Sequence, residues 1–567
     1  MKRDAILHIP MSQYASGLDE THIVFRLRCA RGDLTECTLY YGDTGCRVNP
    51  IIFTPVPMER VASTMEHDYW EVVLESPYKR LFYYFALYDG AERLFYYGDV
   101  FTNSLVDDRS EYFKLPFNHR ADIARVPDWV HDAVVYNIFP DSFATGRRRI
   151  SQMPTEKPYG DQLCRGKLGG TIQGITQNAD YLQELGINCI YINPLFVAGE
   201  YHKYDLIDYF HVDPCFGTDQ DFAAMVQEMH RRGIRVIVDG VFNHCGWHFF
   251  AFDDVVKNGE QSRYKDWFYG LRFPVIRPED PEDYPGYECF GYERMMPKLD
   301  TANPEVRDYF CRVGRYWGQE YDIDGWRLDV ASEVDDAFWR AFRREIKAVK
   351  PDALLIGEVW ESAGHWLDGS MFDSAMNYDF RKHCRRFFAE GSIDAEAFSA
   401  RVTDMLMRYR RQITYAQLNL LDSHDVSRFL SLCGGNRRRY KLAVLFMLCF
   451  VGMPTVFYGD ELGVRGVLEK DYRAPMPWES GDGQLREFFQ RVIRLRHENA
   501  ALRRGDYRLL EAREQLLVFE RRLGEEKITV AINAGEKEQR LSSAGSVLLA
   551  EGWEEGRLKA FGFVVFA

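Results

Sequence analysis

Four polar clusters in this sequence have residue types that can do chemistry: Asp239-Gly-Val-Phe-Asn243-His244, Arg327-Leu-Asp329, Glu358 and His424-Asp425. Each closes a short apolar run that reads as a strand, so all four are expected on one rim. A single Asp at a strand end commonly caps the helix that follows. Carboxylates from three strands (Asp329, Glu358 and Asp425), converging with an arginine and two histidines, exceed what capping requires. Such a set could bind a divalent cation, or perform acid–base and nucleophilic work on an acetal. Arg327 precedes Asp329 by two residues, and side-chain direction repeats every second residue in a strand, so the two share a face. A fixed cation there is expected to keep Asp329 ionised at neutral pH, as a nucleophile requires.

The elements that must position these residues alternate. Strands are expected at Ala133–Phe139, Cys189–Asn193, Arg235–Val241, Gly325–Val330, Ala353–Val359, Ser374–Asn377, Gln417–Leu421 and Thr455–Tyr458. Between them lie stretches such as DFAAMVQEMHRRG and EVRDYFCRVGRYWGQE, whose apolar residues recur at three and four, the helical period. Eight such strands predict an α/β fold, a parallel (β/α)8 barrel with its active site at the strand C-termini. Asp329 and Glu358 end successive strands 29 residues apart, an ordinary βα unit, whereas Asp239 to Asp329 takes 90 residues. The excess, about 245–298, is rich in aromatics, Pro and Gly, and is expected to be a subdomain inserted after strand three. Residues 1–120 alternate in the manner of an N-terminal β-sandwich-like domain. The barrel occupies 121–485, and 486–567 begins helical and returns to strands, a C-terminal all-β domain.

Composition sets outer limits. A chain of 567 residues is too long for one ordinary domain at about 150 residues each. The 46% hydrophobic and 28% charged content is that of a folded globular protein. A net charge of −14 argues against nucleic acid or an anionic membrane as partner, since both call for a basic surface. The uncharged run Leu442–Tyr458 contains Gly and Pro and is short for a membrane span, so a buried helix running into a buried strand is expected. The N-terminal MKRDAILHIPMSQY has no apolar stretch of signal-peptide length. The 12 cysteines form no C-x-x-C pair or zinc-ligand cluster, so free thiols and a cytoplasmic location are expected. Aromatics at 15% fit sugar-stacking platforms but are explained as readily by a large core.

Eight stretches, in order, resemble the α-amylase family of glycoside hydrolases and, within it, the neopullulanase, cyclomaltodextrinase and maltogenic amylase group. DGVFNH (239–244), GWRLDVASE (325–333), GEVW (357–360) and LLDSHD (420–425) are similar to the family's four conserved regions. VYNIFPDSF (135–143), HKYDLIDYF (202–210), MPKLDTANPEVR (296–307) and GMPTVFYGDELG (452–463) support them. The resemblance covers essentially the whole chain. It implies that Asp329 is the nucleophile, Glu358 the general acid/base, and Asp425 the third carboxylate that binds sugar hydroxyls. Arg327, His244 and His424 match residues that position the nucleophile and hold the sugar, and Asp239 matches a supporting carboxylate. Tyr204 matches an aromatic platform; on its own it reads equally well as a loop anchor. Double displacement with retention is implied, with carboxyl groups about 5–5.5 Å apart. The expected partners are neutral α-glucan oligosaccharides: cyclodextrins, maltooligosaccharides and possibly pullulan. An α-glucosidase or transglycosylase on the same scaffold is the alternative, and a non-catalytic binding barrel a remote one.

The subgroup reading rests on MPKLD, the VASE variant of VANE, and the N-terminal module. In relatives that module makes a dimer narrowing the cleft, and a homodimer is expected here. Many relatives hold calcium in the loop after the first strand. Here that loop reads Thr145-Gly146-Arg147-Arg148-Arg149, with a later Gly169-Gly170-Thr171. Arginines stand where oxygen ligands are needed, so no metal or other cofactor is expected. Asn243, a calcium ligand in other amylases, is expected to be a structural hydrogen-bonding residue. Glu361 stands where the subgroup commonly has His, at a position bordering the leaving-group subsites.

Overall fold

The structure is a computed structural model that describes residues 1–98, 100–105, 107–277, 279–280, 283–541 and 545–567. Three positions of the expected insert, 278, 281 and 282, lie outside the described residues. The chain divides into two compact units, Met1–Arg125 with Gly391–Tyr415 and Arg504–Ala567, and Val126–Glu390 with Ala416–Arg503.

In the first unit, the N-terminal module is a sandwich of two antiparallel sheets. One orders Ala15–Gly17, His22–Ala30, His67–Glu75 and Glu59–Ser63; the other is built on Glu36–Asp43 and Leu81–Tyr88. Alternate residues from both sheets (Phe25, Leu27, Leu39, Tyr83, Phe85) form its core, as period-2 strands require. The C-terminal part is an antiparallel sheet in the order Asp506–Arg513, Leu516–Leu523, Glu526–Asn533, Arg557–Phe566 and Gln539–Arg540, with Val547–Glu554 also paired to Arg557–Phe566. Helix Ala395–Met407 belongs to the same unit and starts at Asp394, whose carboxylate accepts from the Ala397 N–H.

The second unit holds the predicted barrel. Eight parallel strands close on themselves: β1 (Val135–Ile138), β2 (Cys189–Ile192), β3 (Arg235–Gly240), β4 (Gly325–Leu328), β5 (Leu354–Gly357), β6 (Ser374–Asn377), β7 (Leu418–Leu420) and β8 (Met453–Phe457). Both faces of these strands are covered, which explains their nearly unbroken apolar runs. Val135, Tyr191, Ile237, Ile356, Leu418 and Met453 meet in one buried cluster. Parallel strands need crossovers, and the helices supply them. Helix Asp219–Arg231 opens on a reciprocal Thr218/Asp221 capping box, and Pro304–Tyr321 opens on Asn303 with a proline in the first turn. The run from Leu442 is, as expected, a buried helix (Arg437–Cys449) leading into buried β8. No helix among the described residues is long and apolar enough to cross a membrane.

Register fixes the rim. Asp239 on β3 lies beside Arg327 on β4, and Arg327 beside Ile356 on β5. Between β3 and β4 the insert contributes helix Phe250–Asn258 and a short hairpin, Cys289–Phe290 with Glu293–Pro297. Its return segment is tied to the end of β3 by a bridge between His244 and Lys298.

Candidate active site

A single guanidinium organises the rim. Arg327, fully buried, donates from Nη1 to both oxygens of Asp239 at 2.9 and 3.1 Å and to Asp329 Oδ1 at 2.6 Å. Its Nη2 lies 2.9 Å from Glu358 Oε1. Three carboxylates from three adjacent strands therefore share one cation, whose planar fork suits such sharing better than an ammonium would.

Asp329 and Glu358 follow the last residues of β4 and β5 and are each 5% exposed, closed off from bulk water but open at the oxygen tips. Val330 takes a left-handed φ of 43°, a conformation that costs a β-branched residue about 1–3 kcal/mol. In it, the Val330 N–H donates to Glu358 Oε2 at 2.9 Å, while Trp360 Nε1 donates to Oε1 at 3.2 Å. The strained turn after Asp329 thus also orients the neighbouring carboxylate.

The expectation that Arg327 alone keeps Asp329 ionised is corrected by this geometry. Burial lifts the Asp329 carboxyl well above its ordinary value; Arg327 pulls it down, and the charges of Glu358 and Asp239 push it up again. Crowding carboxylates around one cation leaves the pair able to hold one shared proton, so Asp329 and Glu358 titrate as a unit.

The other predicted residues also gather here. The Tyr204 hydroxyl donates to Asp239 Oδ2 at 3.1 Å and lies 2.6 Å from His424 Nε2. His424, fully buried, also sits 2.9 Å from Asp425 Oδ2, which joins the third carboxylate to the network. Burial would raise the Asp425 carboxyl, but His424, Arg327 and Arg473 bring it down to about 2. His244 stacks on Phe290 of the insert, with ring centroids 4.9 Å apart. Burial, aided by the Lys298 ammonium, holds its imidazole at about 3, hence neutral. Its Nε2 is buried without a hydrogen-bond partner, leaving a position for an incoming hydroxyl.

Several residues were missed by the sequence reading. Asn193 follows β2 and donates to His424 Nδ1 at 2.9 Å, and Tyr191 donates to Asp239 Oδ2 at 2.7 Å. Asn193 had the same signal as the four clusters, a polar residue at a strand's C-terminal end. Trp360 stacks on Tyr378 with centroids 4.0 Å apart and keeps 48% of its surface exposed, an open aromatic face beside Glu358. Arg473 donates from Nε to the His424 carbonyl at 2.8 Å and places Nη2 3.5 Å from Asp425. Lying 48 residues after Asp425 in an irregular stretch, it gave no pattern to read.

Residues 137–490 match the family described as alpha amylase, catalytic domain, and residues 1–119 match its N-terminal Ig-like domain. The chain belongs to the α-amylase family of glycoside hydrolases. It is 42% identical over 541 residues to a cyclomaltodextrinase of Geobacillus thermopakistaniensis, covering 94% of this chain and 91% of the relative. It is 42% identical over 546 residues to neopullulanase 2 of Thermoactinomyces vulgaris, covering 95% and 92%. A solved cyclomaltodextrinase structure superposes with a TM-score of 0.91 at 36% identity, covering 100% of both chains. In family terms, the shared-guanidinium cluster lies at the strand C-termini where such barrels build their active sites.

Proposed function

We propose that this family member is a retaining α-glucan hydrolase that opens α-1,4-glucosidic bonds in cyclodextrins, maltooligosaccharides and pullulan. The observation that carries the reading is the pair Asp329 and Glu358 held on the two arms of one buried guanidinium. Double displacement needs one ionised and one protonated carboxyl in close company, and a pair sharing one proton meets that count. Asp329 attacks the anomeric carbon as Glu358 gives its proton to the leaving oxygen; Glu358 then takes a proton from the water that releases the sugar. Asp425, Tyr204, His244 and His424 offer hydrogen bonds to the sugar being cleaved. Arg327 and Asp239 fix the nucleophile.

Calcium does not fit the loop after β1. Arg147 pairs with Asp180 at 2.5 Å and Arg148 with Glu184 at 3.1 Å, so guanidinium groups occupy the place of hard oxygen donors. Asn243 Oδ1 is likewise taken by the Lys298 ammonium. A cytoplasmic setting is supported by the cysteines, none of which is disulfide-bonded among the described residues. A homodimer through the N-terminal module is supported by exposed apolar side chains in that module, Ile52 at 72%, and in the insert, Tyr292 at 97%.

Initial rates on β-cyclodextrin, maltotriose, pullulan and soluble starch test the proposal, with Asp329→Asn as control. Faster turnover of cyclodextrin than of starch is expected, with loss of activity in the variant. Equal rates by Asp329→Asn would remove the assigned nucleophile.

A further inference from the structure

The first unit, which contains none of the proposed catalytic side chains, encloses a cavity of about 400 Å³. Its volume falls within the roughly 300–1,000 Å³ of small-molecule sites. Three chain segments meet around it: the sheet edge at Glu59–Ser63, the stretch Leu406–Tyr415, and strands Asp506–Arg513 and Leu516–Leu523.

The interior is built from buried charge. Arg26, 2% exposed, donates from Nε and Nη2 to Glu71 Oε2 at 2.9 and 2.7 Å, and Glu71 is 9% exposed. Arg411 reaches Glu71 Oε1 at 3.5 Å and also pairs with Asp506, which accepts from the Tyr415 hydroxyl at 2.7 Å. These groups satisfy one another and hold their positions without a ligand.

The rim is different. Glu59 lies opposite Glu71 in the sheet register, a like-charge placement that is unfavourable unless something offsets it. The two arginines are committed to Glu71, and Glu59 is left as a spare acceptor. Arg508 lies opposite Glu520 on the neighbouring strands. Among the described residues, the side chains of Glu59, Arg508 and Glu520 make no hydrogen bond or ion pair, though all three line the cavity.

The ligand class follows from that balance. An anion would call for an excess of unpaired cations, and a metal for converging oxygens; the rim offers one spare guanidinium and two spare carboxylates. A hydroxyl both donates and accepts, so spare donors and acceptors set side by side match a polyhydroxylated neutral molecule. The Tyr415 and Tyr507 rings in the lining add the apolar faces that the flat sides of a sugar ring cover.

We propose that this cavity is a second, non-catalytic site for a short neutral saccharide of the maltose class. It rests on the reading of the barrel as an α-glucan hydrolase, whose small products are such molecules.

The test is calorimetric titration of maltose into the full chain carrying Asp329→Asn, which removes turnover. Two binding events are expected. Adding Arg508→Ala with Glu520→Ala should abolish one and leave the other. Val61→Trp, at an exposed position in the cavity lining, should do the same without touching any buried pair. In the otherwise unaltered enzyme, both changes should leave the initial rate on β-cyclodextrin in dilute substrate unchanged. A single event, indifferent to either change, would overturn the second site while leaving the hydrolase reading intact. No maltose binding at all, together with no hydrolysis by the unaltered enzyme, would overturn the hydrolase reading and the second site with it. Binding of inorganic phosphate in place of maltose, lost with Arg508→Ala, would replace the saccharide by an anion and overturn the proposal.

Discussion

Arg327→Lys isolates what the guanidinium does. The native side chain serves Asp239 and Asp329 from Nη1 and Glu358 from Nη2, at 2.6–3.1 Å. An ammonium keeps the positive charge but has one nitrogen, so it cannot span carboxylates placed on two arms of a fork. It keeps the Nη1 side at best and loses the Glu358 contact with one other. Charge-assisted hydrogen bonds are worth about 1.5–3 kcal/mol each, so two lost contacts amount to about 3–6 kcal/mol. Expressed wholly in the transition state, that is a fall in kcat/KM of about 10²–10⁴. Any share paid in the resting enzyme appears as a lower melting temperature instead, because three buried carboxylates then crowd an imperfect partner. The assay is kcat and KM on β-cyclodextrin at the pH optimum, with a thermal melt of the same preparation. Activity within about tenfold of the parent, at an unchanged melting temperature, would refute the reasoning. A rise in KM alone would also count against it, because it would assign Arg327 to ground-state binding.

The pH dependence follows from the shared proton. kcat/KM is expected to be bell-shaped, with its upper limb above the ordinary carboxylate range because burial and neighbouring charge raise Asp329. Asp239→Asn removes one of those charges, so the upper limb should move to lower pH; an upward shift in the pH–rate profile would contradict this. At Asp324, burial would raise the carboxyl, but the His230 hydrogen bond and the Lys350 ammonium bring it down to about 2. A depressed carboxylate stabilises the fold above its unfolded value near 3.8 and loses that contribution as pH falls towards 2. Asp324→Asn should therefore cost about 2 kcal/mol at pH 7 by guanidinium unfolding, and a cost under about 0.5 kcal/mol would contradict the linkage. Excess EDTA is expected to leave both melting temperature and activity unchanged, and a fall in either would restore a metal to the loop after β1.

The barrel was legible because strand and helix periods alternate along the chain, and because parallel strands covered on both faces announce themselves as apolar runs. The chemistry was legible where polar residues interrupt those runs at their ends, as at Asp239, Asp329 and Glu358. Asn193 gave the same signal and was passed over. Arg473 could not be read, since its approach to Asp425 depends on the path of an irregular segment after β8. The charge state of Asp329 was misjudged for a related reason. Spacing places Arg327 on the same strand face, but only the barrel's closure shows that this cation is divided among three carboxylates. The pairing of Arg147 and Arg148 with Asp180 and Glu184 likewise needs the loop folded against a helix that starts 30 residues later.

The central claim is that Asp329 forms the covalent intermediate. Trapping the enzyme with a slow fluorinated maltosyl substrate, followed by mass spectrometry of its peptides, tests this directly. The account predicts one adduct, on the peptide containing Asp329. An adduct on Glu358 or Asp425, or steady turnover to the inverted anomer without any adduct, would contradict it.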